Sequence, residues 1–174
     1  QHILEAARLN VDITVVVHNN MLYGMTGGQP SGLTPEGFRT ILTPQGSLLP
    51  HHDLCRLVYD AGAPYVARVI GLGDFSDTLG RALETDGFAL VEVLELCVRY
   101  GAKMNPTLRL KELAPGRQAA SAGYTPGEWI HPARPPFRPL LSPPPASAEK
   151  TLLDLKPIEV RWTSPPVSYT HLRA

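Results

Sequence analysis

The sequence predicts an open, mostly parallel α/β sheet followed by a Pro-rich irregular C-terminal tail, and three observations predict it. Short apolar runs recur at 12–18 ("DITVVVH"), 64–69 ("PYVARV") and 88–96 ("FALVEVLEL"). The first is β-branched in the way expected of a strand buried on both faces of a parallel sheet. Segments of helical period lie between the runs, giving the order strand, helix, strand, helix, strand that suits right-handed crossovers. Thirteen of the 18 prolines fall at or after Pro106. Proline lacks an N–H and fixes φ, which keeps that region out of regular helices and central strands.

Taken in order, "QHILEAARLN" opens with Ile3, Leu4, Ala7 and Leu9 at helical spacing and no capping residue ahead of them. It reads as a helix joined in its middle, so the chain is expected to be a piece of a longer one. The first strand follows at 12–18. Residues 19–50 form a loop far longer than the usual few residues, and a loop of that length in a compact domain is commonly functional. "HHDLCRLVYDA", 51–61, restores helical spacing through Leu54, Leu57 and Val58, with Asp53 in its first turn and Gly62 as its stop. After the strand at 64–69, "DFSDTLGRALETDG", 74–87, presents Phe75, Leu79, Ala82 and Leu83 on one helical face and stops at Gly87. The strand at 88–96 completes the pattern.

Two units are expected: an α/β domain over 1–113 and an extended or disordered tail over 114–174. Within the tail, "HPARPPFRPLLSPPPASAEK" has the composition of a stiff linker. Trp129, Phe137 and Trp162 suit a tail draped over a partner, and a disordered tail is the alternative. The final "VSYTHLRA" has no relation to what precedes it, resembles an adaptor-derived ending, and carries no functional weight.

Composition removes several function classes. Lys plus Arg equals Asp plus Glu at 16 each, so the formal charge is zero. No basic run offers a groove to a polyanion, and nucleic acid is not an expected partner. No apolar stretch approaches the ~20 residues of a membrane helix, and the start has no signal-peptide layout. A soluble, cytoplasmic protein is expected. Cys55 and Cys97 are too few for a disulfide framework and suit a reducing compartment.

In open α/β sheets ligands bind beyond the carboxyl ends of the strands. The loop beginning at Asn19 and the segment beginning at Cys97 both leave such ends, so they are expected on one edge. There Asn20 offers a neutral carboxamide oxygen, and backbone carbonyls turn outward where the strand stops. Oxygens of this kind suit Mg²⁺. Gly24, Gly27 and Gly28 allow the close backbone approach that a phosphate or cofactor ring needs. Asn-Asn before a Gly-rich turn is more often ordinary turn chemistry. Cys97, after a buried strand, reads as a small hydrophobe, and Cys55, inside a helix, as structural. His51 and His52 are adjacent on a helix and do not face one another, so they read as surface residues. Glu92 and Glu95 have no visible partner and are assigned no role.

As a whole string, "NNMLYGMTGGQPSGLTP" (19–35) resembles the thiamine-diphosphate segment of the β subunit of 2-oxoacid:ferredoxin oxidoreductases. That segment runs as an Asn, a short apolar pair, Tyr-Gly-Met-Thr-Gly-Gly-Gln and a Ser/Thr-Pro tail. "HILEAARLNVDITVVV", "HHDLCRLVYDAGAPYVARV" and "GFALVEVLELCVRYG" extend the likeness over about 1–113. The resemblance implies a thiamine-diphosphate-binding fold and an Mg²⁺ held by the Asn20 side chain and the Leu22 backbone carbonyl. It implies that Tyr23, Gly24, Met25 and Thr26 line the cofactor, with Met25 as the apolar neighbour of the reacting carbon. His2 matches a His of the family pattern and is read as either cofactor-facing or structural. Gly27 stands where some members place a Lys thought to meet the substrate carboxylate, so that contact is not available here. Cys97 matches the fourth thiolate of a 4Fe-4S cluster, with core packing as the alternative.

The implied activity is oxidative decarboxylation of a 2-oxoacid to acyl-CoA and CO₂, with electrons passed through Fe–S centres to ferredoxin. Implied partners are an α subunit, with or without γ and δ subunits, together with ferredoxin, coenzyme A and the 2-oxoacid, whose identity stays open. The family's upstream Gly-Asp-Gly segment does not occur in these 174 residues. The polypeptide alone is therefore expected to bind the cofactor poorly. Two other readings stand beside this one: another thiamine-diphosphate-dependent decarboxylase or synthase, and a non-catalytic α/β nucleotide-binding module.

Overall fold

A computed structural model describes residues 1–110, 124, 126–133 and 135–136. Expectations for Phe137, Trp162 and the final "VSYTHLRA" lie outside the described residues. The chain runs through α1 (His2–Leu9), β1 (Thr14–Asn19), the two-residue strands β2 (Leu22–Tyr23) and β3 (Gln29–Pro30), and α2 (Leu54–Asp60). It continues through β4 (Tyr65–Ile70), α3 (Ser76–Leu83), β5 (Ala89–Leu94), α4 (Gly101–Met104) and β6 (Gly127–Ile130). No helix among the described residues is long and apolar enough to cross a membrane.

The parallel sheet is present, in the order β1-β5-β4-β6, with a separate antiparallel pair β2-β3. β5 lies between β1 and β4 and is parallel to both; Val16 and Ala67 stand opposite Val91 from either side. As the central strand it is buried at every residue from Ala89 to Leu94. One face packs Val66, Leu90 and Phe88 under Ala7 of α1 and Cys55 and Val58 of α2. The other packs Ala67, Val91 and Val93 under Ala82, Phe75 and Leu79 around α3. Each fully buried Val, Leu or Phe among them contributes ~1.5–3 kcal/mol. A third cluster of Met21, Leu22, Phe38, Leu94 and Tyr124 lies under the long loop.

Local chemistry trims the expected elements. α2 starts at Leu54 because the Asp53 side chain accepts from the Arg56 N–H at 3.1 Å, an N-cap that leaves His51 and His52 outside the helix. α3 ends at Leu83, ahead of Gly87. Gly87 has φ 102°, and a Cβ there would meet the Asn10 side-chain oxygen at 2.3 Å. That oxygen is needed where it is, since it accepts from the Phe88 N–H at 2.9 Å and ties the end of α1 to the start of β5.

Two expectations differ from the structure. Among the described residues β1 is an edge strand: Val15 and Val17 face the core, whereas Val16 is 43 % exposed and His18 is exposed. β-branching marks a tendency to form a strand and does not say whether both faces are covered. Tyr124 and residues 126–131, read as part of the tail, join the domain. β6 pairs antiparallel with β4, Trp129 opposite Val66, and Trp129 packs against the core while Tyr124 is fully buried. Pro126 and Pro132 flank this strand rather than interrupt it, and an edge strand tolerates proline at its ends.

Candidate functional site

β1 and β5 end side by side, Asn19 opposite Leu94, so the loop after Asn19 and the segment through Cys97 leave the same carboxyl edge. The chain turns sharply there. Asn19 Oδ1 accepts from the Met21 N–H at 3.0 Å and Asn20 Oδ1 from the Leu22 N–H at 3.3 Å, two overlapping side-chain turns. Between them Met21 takes φ 69°, which a non-glycine residue rarely adopts. Its side chain is buried, and its carbonyl accepts from Thr34 Oγ1 at 2.6 Å.

Beyond the turn, β2 and β3 close a tight loop. The Gly28 N–H donates to the Tyr23 carbonyl at 2.8 Å, Thr26 Oγ1 to Gln29 Oε1 at 2.8 Å, and Gln29 Nε2 to the Thr26 carbonyl at 2.6 Å. Gly28, at φ 84°, lies so close to Tyr100 that a Cβ would stand 2.7 Å from the ring. The loop is thus stapled internally and seated on the segment after β5. It holds Tyr23 and Met25 outward, with relative exposures of 59 % and 102 %. Asn20 behind them is half-buried.

Cys97 sits behind the same loop. A Cβ on Gly24 would lie 3.5 Å from Cys97 Sγ and 3.6 Å from Asn20 Nδ2. Burial pushes the Cys97 thiol up, but the N–H groups of Gly101, Tyr100 and Arg99 outweigh it and leave the thiol below its usual range. A half-buried sulfur whose thiol is lowered by neighbouring N–H groups is suited to negative charge. Cys55 is the opposite case: burial, with the Glu92 charge beside it, pushes its thiol far up and keeps it protonated.

The sequence reading missed a buried polar network beneath the turn. Arg68 donates through Nε to Glu92 Oε2 at 2.6 Å and through a terminal nitrogen to Asp53 Oδ1 at 2.5 Å. Asn19 Nδ2 donates to Glu92 Oε1 at 2.7 Å, and Cys55 Sγ lies 3.2 Å from Glu92 Oε2. The Arg68 guanidinium stands 5.0 Å from the centre of the Tyr124 ring. Burial pushes the Tyr124 phenol up to about 12, and its hydroxyl, which donates to the Leu33 carbonyl, stays protonated. Glu92, assigned no role, is therefore the hub. The available signal was one acid in "ALVEVL" and one base in "YVARVI", which fall opposite each other once β4 and β5 are set in register.

The remaining candidates are dispersed. Glu95 pairs with His18 on the surface at 2.6 Å. His51 packs on the Tyr124 ring at 4.5 Å, and the His52 N–H donates to the Gly32 carbonyl. His2 is exposed at the start of α1 and borders a groove with Glu5, Arg8 and Asp60, none of them in the 20–26 loop. The structure brings together Asn20, Leu22, Tyr23, Gly24, Met25, Thr26 and Cys97, and leaves His2 apart.

Among the described residues no group of three or more His, Cys, Asp or Glu could hold a metal. The turn offers a different donor set, one carboxamide oxygen with backbone carbonyls. Neutral oxygens suit a hard cation whose charge is balanced by a ligand's diphosphate. Exposed Met25 and Tyr23 beside them suit the apolar ring of that ligand. The residues present therefore fit thiamine diphosphate with Mg²⁺.

An α/β sheet with such a turn at its carboxyl edge belongs to a known class. The profile of the family described as "Thiamine pyrophosphate enzyme, C-terminal TPP binding domain" matches residues 1–93, and the chain belongs to that family. It is 38 % identical over 106 residues to the 2-oxoglutarate synthase subunit KorB of Methanocaldococcus jannaschii, covering 60 % of this chain and 39 % of that one. The subunit of the same name from Archaeoglobus fulgidus is 40 % identical over 114 residues, 64 % of this chain and 42 % of that one. The 2-oxoacid:ferredoxin oxidoreductase subunit beta of Saccharolobus solfataricus is 33 % identical over 101 residues, 57 % and 33 % of the two chains. The chain thus spans between a third and about two-fifths of the length of these relatives. Among solved structures, a chain of the 2-oxoglutarate:ferredoxin oxidoreductase from Magnetococcus marinus, with 2-oxoglutarate, coenzyme A and succinyl-CoA bound, has the same fold at a TM-score of 0.65. That match has 21 % identity and covers 90 % of this chain and 62 % of that one.

Proposed function

We propose that this chain is the part of a 2-oxoacid:ferredoxin oxidoreductase β subunit that holds thiamine diphosphate through Mg²⁺. The observation that carries the reading is the stapled turn at residues 19–29, which sets Asn20, Leu22 and Met25 on the carboxyl edge with Cys97 directly behind. Asn20 supplies its side-chain oxygen and Leu22 its carbonyl to the metal. Met25, held outward by the Tyr23–Gly28 loop, supplies an apolar wall that keeps water from the reacting carbon. The Thr26 hydroxyl and carbonyl are tied to Gln29, which stiffens the loop and leaves the Thr26 N–H to line the diphosphate.

When bound, thiamine diphosphate supplies the electron sink that lets a 2-oxoacid lose CO₂. Cys97, its thiol lowered by three N–H groups, is suited to ligate a 4Fe-4S cluster, because such a cluster requires thiolates. Electrons would then pass to ferredoxin and the acyl group to coenzyme A. The exposed Tyr23 and Met25 call for a cover, which we assign to an α subunit. The setting is cytoplasmic. Relatives bearing the name 2-oxoglutarate synthase make 2-oxoglutarate the first substrate to assay.

The test uses the full-length subunit assembled with its partners. Asn20→Ala should abolish 2-oxoacid-dependent reduction of ferredoxin at every Mg²⁺ concentration, and Cys97→Ser should lower the iron content. Unchanged turnover in Asn20→Ala would refute the proposal, and a full-length protein without iron would redirect it to a thiamine-dependent decarboxylase or synthase.

A further inference from the structure

The geometry points to Asn19 and Glu92 as positioning residues that set the turn presenting Asn20 and Leu22 to the metal. This inference rests on the reading of Asn20 and Leu22 as metal ligands. It starts from a constraint on donors and acceptors. A carboxylate only accepts, so the atom of Asn19 that meets Glu92 Oε1 at 2.7 Å is the amide nitrogen. That fixes the other end of the carboxamide, Oδ1, toward the Met21 N–H, which it accepts at 3.0 Å. Met21 is held in the left-handed region at φ 69°, which a non-glycine residue adopts only where its surroundings enforce it. The Asn19 bond on one side and the Thr34 bond to the Met21 carbonyl on the other hold it there.

The left-handed residue lies between the two proposed ligands and reverses the chain, leaving Asn20 Oδ1 only 3.3 Å from the Leu22 nitrogen. Glu92 is fixed from below: Arg68 Nε holds its other oxygen at 2.6 Å and Cys55 Sγ lies against that oxygen. Its carboxylate is fully buried, and burying an ion pair carries a desolvation cost that an apolar pair would avoid. The chain of contacts Arg68, Glu92, Asn19, Met21 leads from the sheet interior to the turn. Glu92 touches no proposed ligand and reaches the turn through its bond to Asn19.

Two isosteric substitutions test this. In Glu92→Gln, Arg68 Nε claims the new carbonyl oxygen and leaves an NH₂ facing Asn19. The Asn19 amide must then turn over, so that its own NH₂ meets the Met21 N–H and the turn loses its clamp. In Asn19→Asp, two carboxylates face each other. In the double variant Asn19→Asp/Glu92→Gln, the introduced carboxylate accepts from the introduced NH₂ on one side and from Met21 on the other, restoring that bond with donor and acceptor exchanged, while the Tyr124 hydroxyl, which accepts from Asn19 Nδ2 at 3.2 Å, turns its proton from the Leu33 carbonyl to the new oxygen.

The probe is Mg²⁺, titrated by calorimetry into the assembled, metal-free oxidoreductase at fixed thiamine diphosphate, with Asn20→Ala alongside. Each single variant should raise the half-saturating Mg²⁺ by about tenfold or more, the size expected for losing a hydrogen bond to a charged group. The double variant should return it to within about threefold of the wild type, a non-additivity that marks direct coupling. Thermal melting of the metal-free complexes, which a merely structural role would move without moving the Mg²⁺ dependence, is recorded in parallel. Either single variant that assembles decides the matter. A half-saturating Mg²⁺ within about twofold of wild type, while Asn20→Ala is impaired, overturns the positioning role alone; so does a double variant that stays as poor as the singles. An unimpaired Asn20→Ala overturns the reading beneath it.

Discussion

The backbone of Gly24 lies against the thiol of Cys97: a Cβ at position 24 would stand 3.5 Å from Sγ and 3.6 Å from the Asn20 side-chain nitrogen. Those are ordinary contact distances, so one methyl group fits and a branched side chain does not. Gly24→Ala should change stability by less than about 1 kcal/mol, whereas Gly24→Val should cost ~1–3 kcal/mol by displacing Asn20 or Cys97. Urea denaturation of the two variants checks the difference. Equal stability would mean that loop and cysteine are not in contact.

The two cysteines should react very differently. Thiolate is the nucleophile, so a lowered pKa raises reactivity near neutral pH and a raised one suppresses it. Cys97 lies below the usual thiol range, through the N–H groups of Gly101, Tyr100 and Arg99, and Cys55 lies far above it, through burial. In cluster-free protein, iodoacetamide should alkylate Cys97 first, with a rate that rises with pH at a midpoint below that of a free thiol. Cys55 should react only after unfolding. Mass spectrometry of timed samples reads both.

Arg68 and Glu92 should be worth more as a pair than either is alone. Arg68→Ala leaves the buried Glu92 carboxylate without its guanidinium and should cost ~3–5 kcal/mol. Arg68→Met combined with Glu92→Met should recover much of that loss, since an apolar pair avoids desolvation. Chemical denaturation of the set tests it, and equal losses in Arg68→Ala and the double variant would contradict a desolvated pair.

That pair also shows what was legible beforehand. The order of strands and helices could be read because "DITVVVH", "PYVARV" and "FALVEVLEL" are each short runs whose local composition specifies strand. Asp53 and Gly62 likewise mark the ends of α2 through contacts within a few residues. The turn at Asn19 and Asn20 was legible as a string. The partners of Glu92 were not, because Arg68 and Asn19 lie 24 and 73 residues away and meet it only once the register is known. Tyr124 and β6 were hidden for a similar reason. Their residues sit in Pro-rich surroundings, and only the open edge of β4 gives "GEWI" a strand to pair with.

The most direct test of the account is a crystal structure of the full-length subunit with its partners, thiamine diphosphate and Mg²⁺. The expected result places Asn20 Oδ1 and the Leu22 carbonyl oxygen in the metal's coordination sphere at ~2.1 Å, with Met25 against the cofactor ring. A metal held entirely by other residues, with the 20–26 loop turned away from the cofactor, would contradict it.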